Sequence, residues 1–153
     1  MSAAGRPAAA AAAAGARFER PLRIRFGHCD PAGIVYFPTY FVMLNGLVED
    51  WISDGLGIPY ASLLGERRTG LPTVSLQTDF KAISRMGDEV VLGLAVQRLG
   101  ARSFTLALDV RGADGGLRVQ ASKVIVTTDL ETHRSIEIPP DLRAAIERFM
   151  RAA

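Results

Sequence analysis

The sequence predicts an α+β domain in which one antiparallel sheet of five strands curls around a single long, mostly buried helix. Three observations predict it. One helical period runs through residues 38–54 between strong breakers. Four long β-rich segments then follow in series. The chain has 153 residues, 48% of them hydrophobic and 22% charged, which is one domain with an ordinary core.

The elements follow in order. Residues 1–16 are mostly alanine and read as a flexible extension, leaving 17–153 as the domain. Alanine is a weak apolar centre for an export signal, and no run of ~18 strongly apolar residues exists to span a membrane. Residues 18–26 (FERPLRIRF) place Leu22, Ile24 and Phe26 in alternation with Arg23 and Arg25, the period of a half-buried strand. Gly27, Pro31, Gly33 and Pro38 punctuate a structured loop. Pro38 suits a helix's first turn, and Gly55 and Gly57 stop the helix. Phe37, Tyr40, Phe41, Leu44, Leu47, Val48, Trp51 and Ile52 form its apolar face, with Asn45 and Glu49 at the edge of that arc. Residues 59–66 read as a short second helix.

Segments 71–84, 89–99, 103–111 and 117–128 are the long strands, separated by turn compositions of which GADGG (112–116) is a hairpin signal. Residues 134–138 add a short piece. A last helix is expected over 141–151, capped by Asp141, with Leu142, Ala145, Ile146 and Phe149 as its stripe. Such a sheet leaves strand edges that need a partner.

The net charge is +2, and of the 18 basic residues only Lys81 and Lys123 are lysines. No basic stripe forms, so nucleic acid is not an expected partner. A single cysteine, Cys29, allows no internal disulfide and fits a cytoplasmic location. One cysteine and two histidines, His28 and His133, make a poor zinc set, and no metal is expected.

Chemistry is best placed in Gly27–Pro38. Asp30 lies between a strand and a helix whose first amides, including that of Phe37, have no intrahelical acceptor. Those amides and the helix dipole suit developing negative charge, so a carboxylate beside them is a layout for acyl transfer to water. The alternative is that Asp30 merely caps an Asp-Pro turn.

The stretch RIRFGHCDPAGIVYFPTYF (23–41) resembles the signature of hotdog-fold acyl-CoA thioesterases of the 4-hydroxybenzoyl-CoA thioesterase-like family. The likeness continues through Gly70–Ser75, Gly87–Val90, Arg102–Phe104 and Arg134–Pro139. It implies hydrolysis of an aryl- or acyl-CoA to free acid and CoA, in the context of aromatic degradation. Asp30 matches the family's catalytic aspartate, as nucleophile or general base, and Phe37 the residue whose backbone N–H polarises the thioester carbonyl. Arg102 and Arg134 match residues that hold the CoA phosphates. The resemblance also implies a homo-oligomer, at least a dimer with a tetramer expected, and an active site between subunits. No cofactor is implied, CoA being part of the substrate.

There are departures. His28 replaces an acidic residue, Gly100 replaces a basic one, and Asn45 stands where the family binds a ring hydroxyl with an aspartate. A benzoyl, differently substituted aryl or aliphatic group is then equally reasonable. Ser75 is a candidate for lining the acyl pocket, or a solvent-facing strand serine. His28 either tunes Asp30 or has a local partner. Glu49 is the rival base, because another branch of the fold carries its carboxylate on the long helix. Cys29, Trp51, Phe41 and Phe80 read as packing residues. The competing functions are a non-catalytic acyl-CoA-binding module and a thioesterase acting on acyl-carrier protein. A hydratase would need a D-x-N-P-x-H element, which the chain lacks.

Overall fold

A computed structural model describes residues 15–152. The expectation for the alanine-rich extension lies outside the described residues, apart from residues 15 and 16. Strands β1 (Phe18–Arg23), β4 (Glu89–Leu99), β5 (Ser103–Gly112), β6 (Leu117–Val126) and β3 (Thr73–Phe80) form one antiparallel sheet in the order β1-β4-β5-β6-β3. β2 (Thr69–Gly70) and β7 (Thr128–Asp129) make a separate two-stranded ribbon. The helices are α1 (Phe37–Asp50), α2 (Tyr60–Leu64) and α3 (Pro140–Arg151). The α+β layout, the five strands and the GADGG hairpin between β5 and β6 are as predicted.

α1 buries Tyr40, Met43, Leu44, Leu47 and Val48. The inner rows of β4 and β5 are closed by Leu92, Leu94, Phe104, Leu106, Leu108 and Val110, each at most 3% exposed. Trp51 is fully buried, with ring centroids of Phe104 and Phe149 at 6.1 and 5.5 Å. α3 adds Leu142, Ala145 and Ile146.

Several boundaries differ, each for a local reason. β1 stops at Arg23, because the Ile24 amide donates to Asp88 O at 2.8 Å and the chain turns through a 3₁₀ turn, Phe26–His28. Phe26 is therefore exposed instead of alternating inward. Beyond Asp50 the long helix widens into a π turn, Trp51–Gly55, in which the Leu56 amide reaches Trp51 O at 2.8 Å. Gly55 permits this packing, since a Cβ there would stand 2.9 Å from Trp51 Cδ1.

β3 is eight residues, not fourteen. Pro72 precedes it, and after Phe80 the amides of Lys81 and Ala82 both turn to Arg118 O, taking the chain off the sheet. Residues 134–138 form no strand; one bridge joins Ser135 to Thr128. Asp141 does not cap α3. Its carboxylate instead accepts two 2.7 Å bonds from the Arg67 guanidinium.

The two edges of the sheet differ. β3 carries Val74, Leu76 and Phe80 exposed and contains no proline, so its outer side is an uncovered edge. Phe37 and Phe80 (56% and 48% exposed) and half-buried Phe41 are therefore not core residues. Among the described residues no element covers them. Among the described residues no helix is long and apolar enough to cross a membrane.

Candidate active site

Residues 28–36 fold as a tight hairpin that feeds α1. The Asp30 amide donates to Ile34 O at 3.0 Å, Cys29 bridges Val35, and the Tyr36 amide donates to His28 O at 3.0 Å. Gly33 takes φ +76°, a left-handed conformation that glycine adopts without strain. The Asp30 Oδ1 accepts from the Ala32 amide at 2.8 Å, so the carboxylate does brace its turn. Among the described residues Oδ2 has no partner, leaving one oxygen for chemistry.

α1 begins immediately after this hairpin. No side chain caps it, and Pro38 at its second position has no N–H, so the Phe37 amide is its outermost donor. A cavity of about 270 Å³ opens here, lined by Ile34, Val35, Phe37, Tyr40, Phe80 and residues 81–84. The Phe37, Tyr40 and Phe41 rings lie 6.0–6.3 Å from that of Phe80, closing the seam between α1 and β3. The cavity floor is pinned from behind. The Val35 amide donates to Ser84 O, and Arg118 donates to Ile83 O at 2.8 Å and to Asp88 at 3.1 Å. The Arg85 backbone N–H and the Arg118 guanidinium hold the Asp88 carboxyl below the usual carboxylate range.

A second cavity of about 210 Å³ continues along the same seam, lined by Phe41, Leu44, Asn45, Leu76 and Lys123 among others. The Lys123 ammonium donates to Asn45 Oδ1. Burial lowers the Lys123 pKa from the ordinary lysine value. Lys123 was not among the sequence candidates. Its signal was present: Val119, Ala121 and Ile125 occupy the inward register of β6, and a lysine sits in that same register.

The other candidates separate. His28 takes a local partner, its Nδ1 accepting from the Arg25 amide at 2.9 Å. Half-buried Cys29 packs in the hairpin, its thiol 3.5 Å from Arg25 O. Ser75 pairs with Val124 in the outward register of the sheet and lines neither cavity. Glu49 is exposed, twelve residues beyond Phe37 or ~18 Å along the helix, and lines neither cavity. Its charge acts on Tyr60, whose pKa is raised mainly by burial and secondarily by Glu49.

Arg102 and Arg134 do share one locus. Arg102 donates to Ser135 O at 2.8 Å, beside Arg134, and both arginines are exposed. Arg143 of α3 joins them by donating to the carbonyl oxygens of Gly100 and Ala101. Sequence reasoning missed Arg143, which lies some 40 residues away on a helix that shows only its apolar stripe. These arginines stand at the β4–β5 turn, at the opposite end of the ten-residue β6 from the Asp30 hairpin, ~30 Å away. Within one chain the two parts of the candidate site are therefore not brought together.

The family model of the thioesterase-like superfamily matches residues 24–146. The chain is 33% identical over 127 residues to a 4-hydroxybenzoyl-CoA thioesterase of Pseudomonas sp. (strain CBS-3), covering 78% of this chain and 89% of the relative. It is 25% identical to a 1,4-dihydroxy-2-naphthoyl-CoA hydrolase of Acaryochloris marina (strain MBIC 11017), covering 82% and 93% respectively. A solved structure of a gentisyl-coenzyme A thioesterase superposes with a TM-score of 0.76 at 26% identity, covering 84% of this chain and 99% of that one.

Proposed function

The chain belongs to the thioesterase-like superfamily and is a hotdog-fold thioester hydrolase; on that premise we propose that it cleaves an aryl-CoA or related acyl-CoA, with Asp30 carrying the chemistry. The observation that supports this reading most is the hairpin, which joins a carboxylate with one uncommitted oxygen to the uncapped start of α1. The thioester carbonyl would accept from the Phe37 amide, which steadies the oxygen as it gains charge. The free Asp30 oxygen then either adds to the carbonyl carbon or takes a proton from an attacking water. In the first case the C–S bond breaks to leave an Asp30–acyl anhydride, which water hydrolyses to restore the carboxylate; in the second the water oxygen adds to the carbonyl carbon and the C–S bond breaks directly. In both, the thiolate leaves and takes up a proton released by the water, giving CoA and the free acid. No side chain other than Asp30 is required to donate electrons.

The arginine cluster at the far end is the proposed CoA-phosphate site, because the planar guanidinium fork fits phosphate oxygens. A homodimer reconciles the ~30 Å gap. If two β3 edges pair antiparallel about a two-fold, Thr73 of one copy faces Phe80 of the other, and the far end of one protomer comes beside the hairpin of its partner. A cytoplasmic role in breaking down aromatic acids belongs to the same reading.

The test is Asp30→Asn. The expected result is a fall in kcat of about 10²-fold or more with CoA binding retained. Near-normal turnover refutes the assignment. Arg134→Ala should raise KM for CoA esters and spare thioesters of small thiols; equal loss on both removes Arg134 from the phosphate site.

A further inference from the structure

The buried side chains on the inner face of the sheet are apolar but for the Thr78 hydroxyl and one charged group. Lys123 is the only charged side chain among the buried residues described, and its residue is 6% exposed. It faces inward with Leu106 and Leu76, its direct cross-strand neighbours, and forms part of the wall of the second cavity. An ammonium carries three donors, and among the described residues only Asn45 accepts from it. Burying a cation with its hydrogen-bonding capacity unfilled is unfavourable, and natural cores exclude lysine unless something compensates. The chain otherwise uses arginine for nearly every cation, so a lysine kept at this one interior position calls for a specific occupant.

The position supplies one. Phe41 lines the second cavity and packs on Phe80, which lines the first together with Phe37. Asn45 lies eight residues, ~12 Å, along α1 from the Phe37 amide. An acyl group laid along this seam from the thioester carbonyl would present its distal end to Asn45 and Lys123. We propose that Lys123, with Asn45 orienting it, binds an acidic oxygen (a carboxylate or an ionisable hydroxyl) at the distal end of the acyl group. The preferred substrates are then oxygen-bearing aryl-CoA esters, not plain benzoyl or alkyl ones. This rests on the thioesterase reading, which by itself leaves the acyl group open. Asn45 can accept from or donate to such an oxygen as its carboxamide turns.

The test is kcat/KM for benzoyl-, 4-hydroxybenzoyl-, 4-carboxybenzoyl- and 1,4-dihydroxy-2-naphthoyl-CoA, with wild type and Lys123→Met. Wild type should favour at least one oxygen-bearing ester over benzoyl-CoA. In Lys123→Met that ratio should fall by about tenfold or more, chiefly through KM, which is the size expected for one hydrogen bond to a charged group. Lys123→Gln keeps a donor and should restore part of the preference for the hydroxylated esters, but not for the carboxylated one. A thermal melt confirms that the variants fold. A ratio unchanged by Lys123→Met overturns the proposal, as does a wild type without preference. Calorimetric binding of free 4-hydroxybenzoate and terephthalate to wild type and Lys123→Met separates the two readings. Lysine-dependent binding of these acids with no turnover of any ester overturns the thioesterase reading and leaves the anchor standing. Turnover with no lysine dependence does the reverse.

Discussion

The half of the sheet formed by β4 and β5 and the half formed by β6 and β3 present opposite kinds of inner surface to the same helix. On β4 and β5 the inward side chains are aliphatic or aromatic, and all but Val96 and Leu99 are closed to solvent. On β6 and β3 the corresponding row includes Lys123, the buried and unpartnered Thr78 hydroxyl, and the part-exposed Leu76 and Phe80. Both cavities lie on that second side. One half of the molecule is therefore packed for stability, and the other gives up packing to keep space and polar groups available.

The largest expected effect that tests this contrast is Leu94→Ala, on the closed side. Leu94 is fully buried on β4, so the loss should be about 2–5 kcal/mol in denaturant unfolding, with kcat/KM of the folded enzyme little changed. A loss under ~1 kcal/mol would mean that the two halves contribute alike. Phe80→Ala, on the open side, should cost only about 1–2 kcal/mol because half the ring is already in water. It should instead raise KM, since Phe80 joins the two cavities. A large stability loss with unaltered KM would reverse the assignment of the two halves.

The smallest effect has the most informative sign. Burial lowers the Lys123 pKa in the fold, so between the folded and ordinary lysine values the unfolded chain binds more protons. The destabilisation is then fully present below the lowered value and disappears as pH rises towards ~10.4. Lys123→Met should be at least as stable as wild type at pH 7, by up to ~1 kcal/mol, and the difference should shrink as pH rises. A variant less stable than wild type at every pH would make Lys123 a structural residue.

Much of this was readable from the chain because punctuation was dense where it mattered. Pro31, Gly33, Pro38 and Gly55 bound the hairpin and the long helix, and the period of α1 gave its buried face. The turn that Asp30 braces was legible too: one oxygen accepts from the Ala32 amide, and the other has no partner among the described residues. What escaped depended on sheet order. Nothing local to residues 73–80 says that the strand lies at an edge, so Phe80 read as core. Nothing near Arg102 says that Arg143 of a distant helix shares its turn, or that both stand far from Asp30. Lys123 was overlooked for a different reason, since a lone lysine in a strand is usually taken as a surface residue.

The edge position of β3 also bears on how the chain is made. Its one partner strand, β6, begins at Leu117, 37 residues after Phe80. At ~5–20 residues per second of synthesis, β3 waits several seconds outside the ribosome with both of its hydrogen-bonding edges unmatched. During that interval its proline-free sequence, with Val74, Leu76 and Phe80 exposed, is open to pairing with a neighbouring nascent copy. Yield on expression should therefore respond to translation speed and temperature more sharply than the stability of the finished fold would suggest.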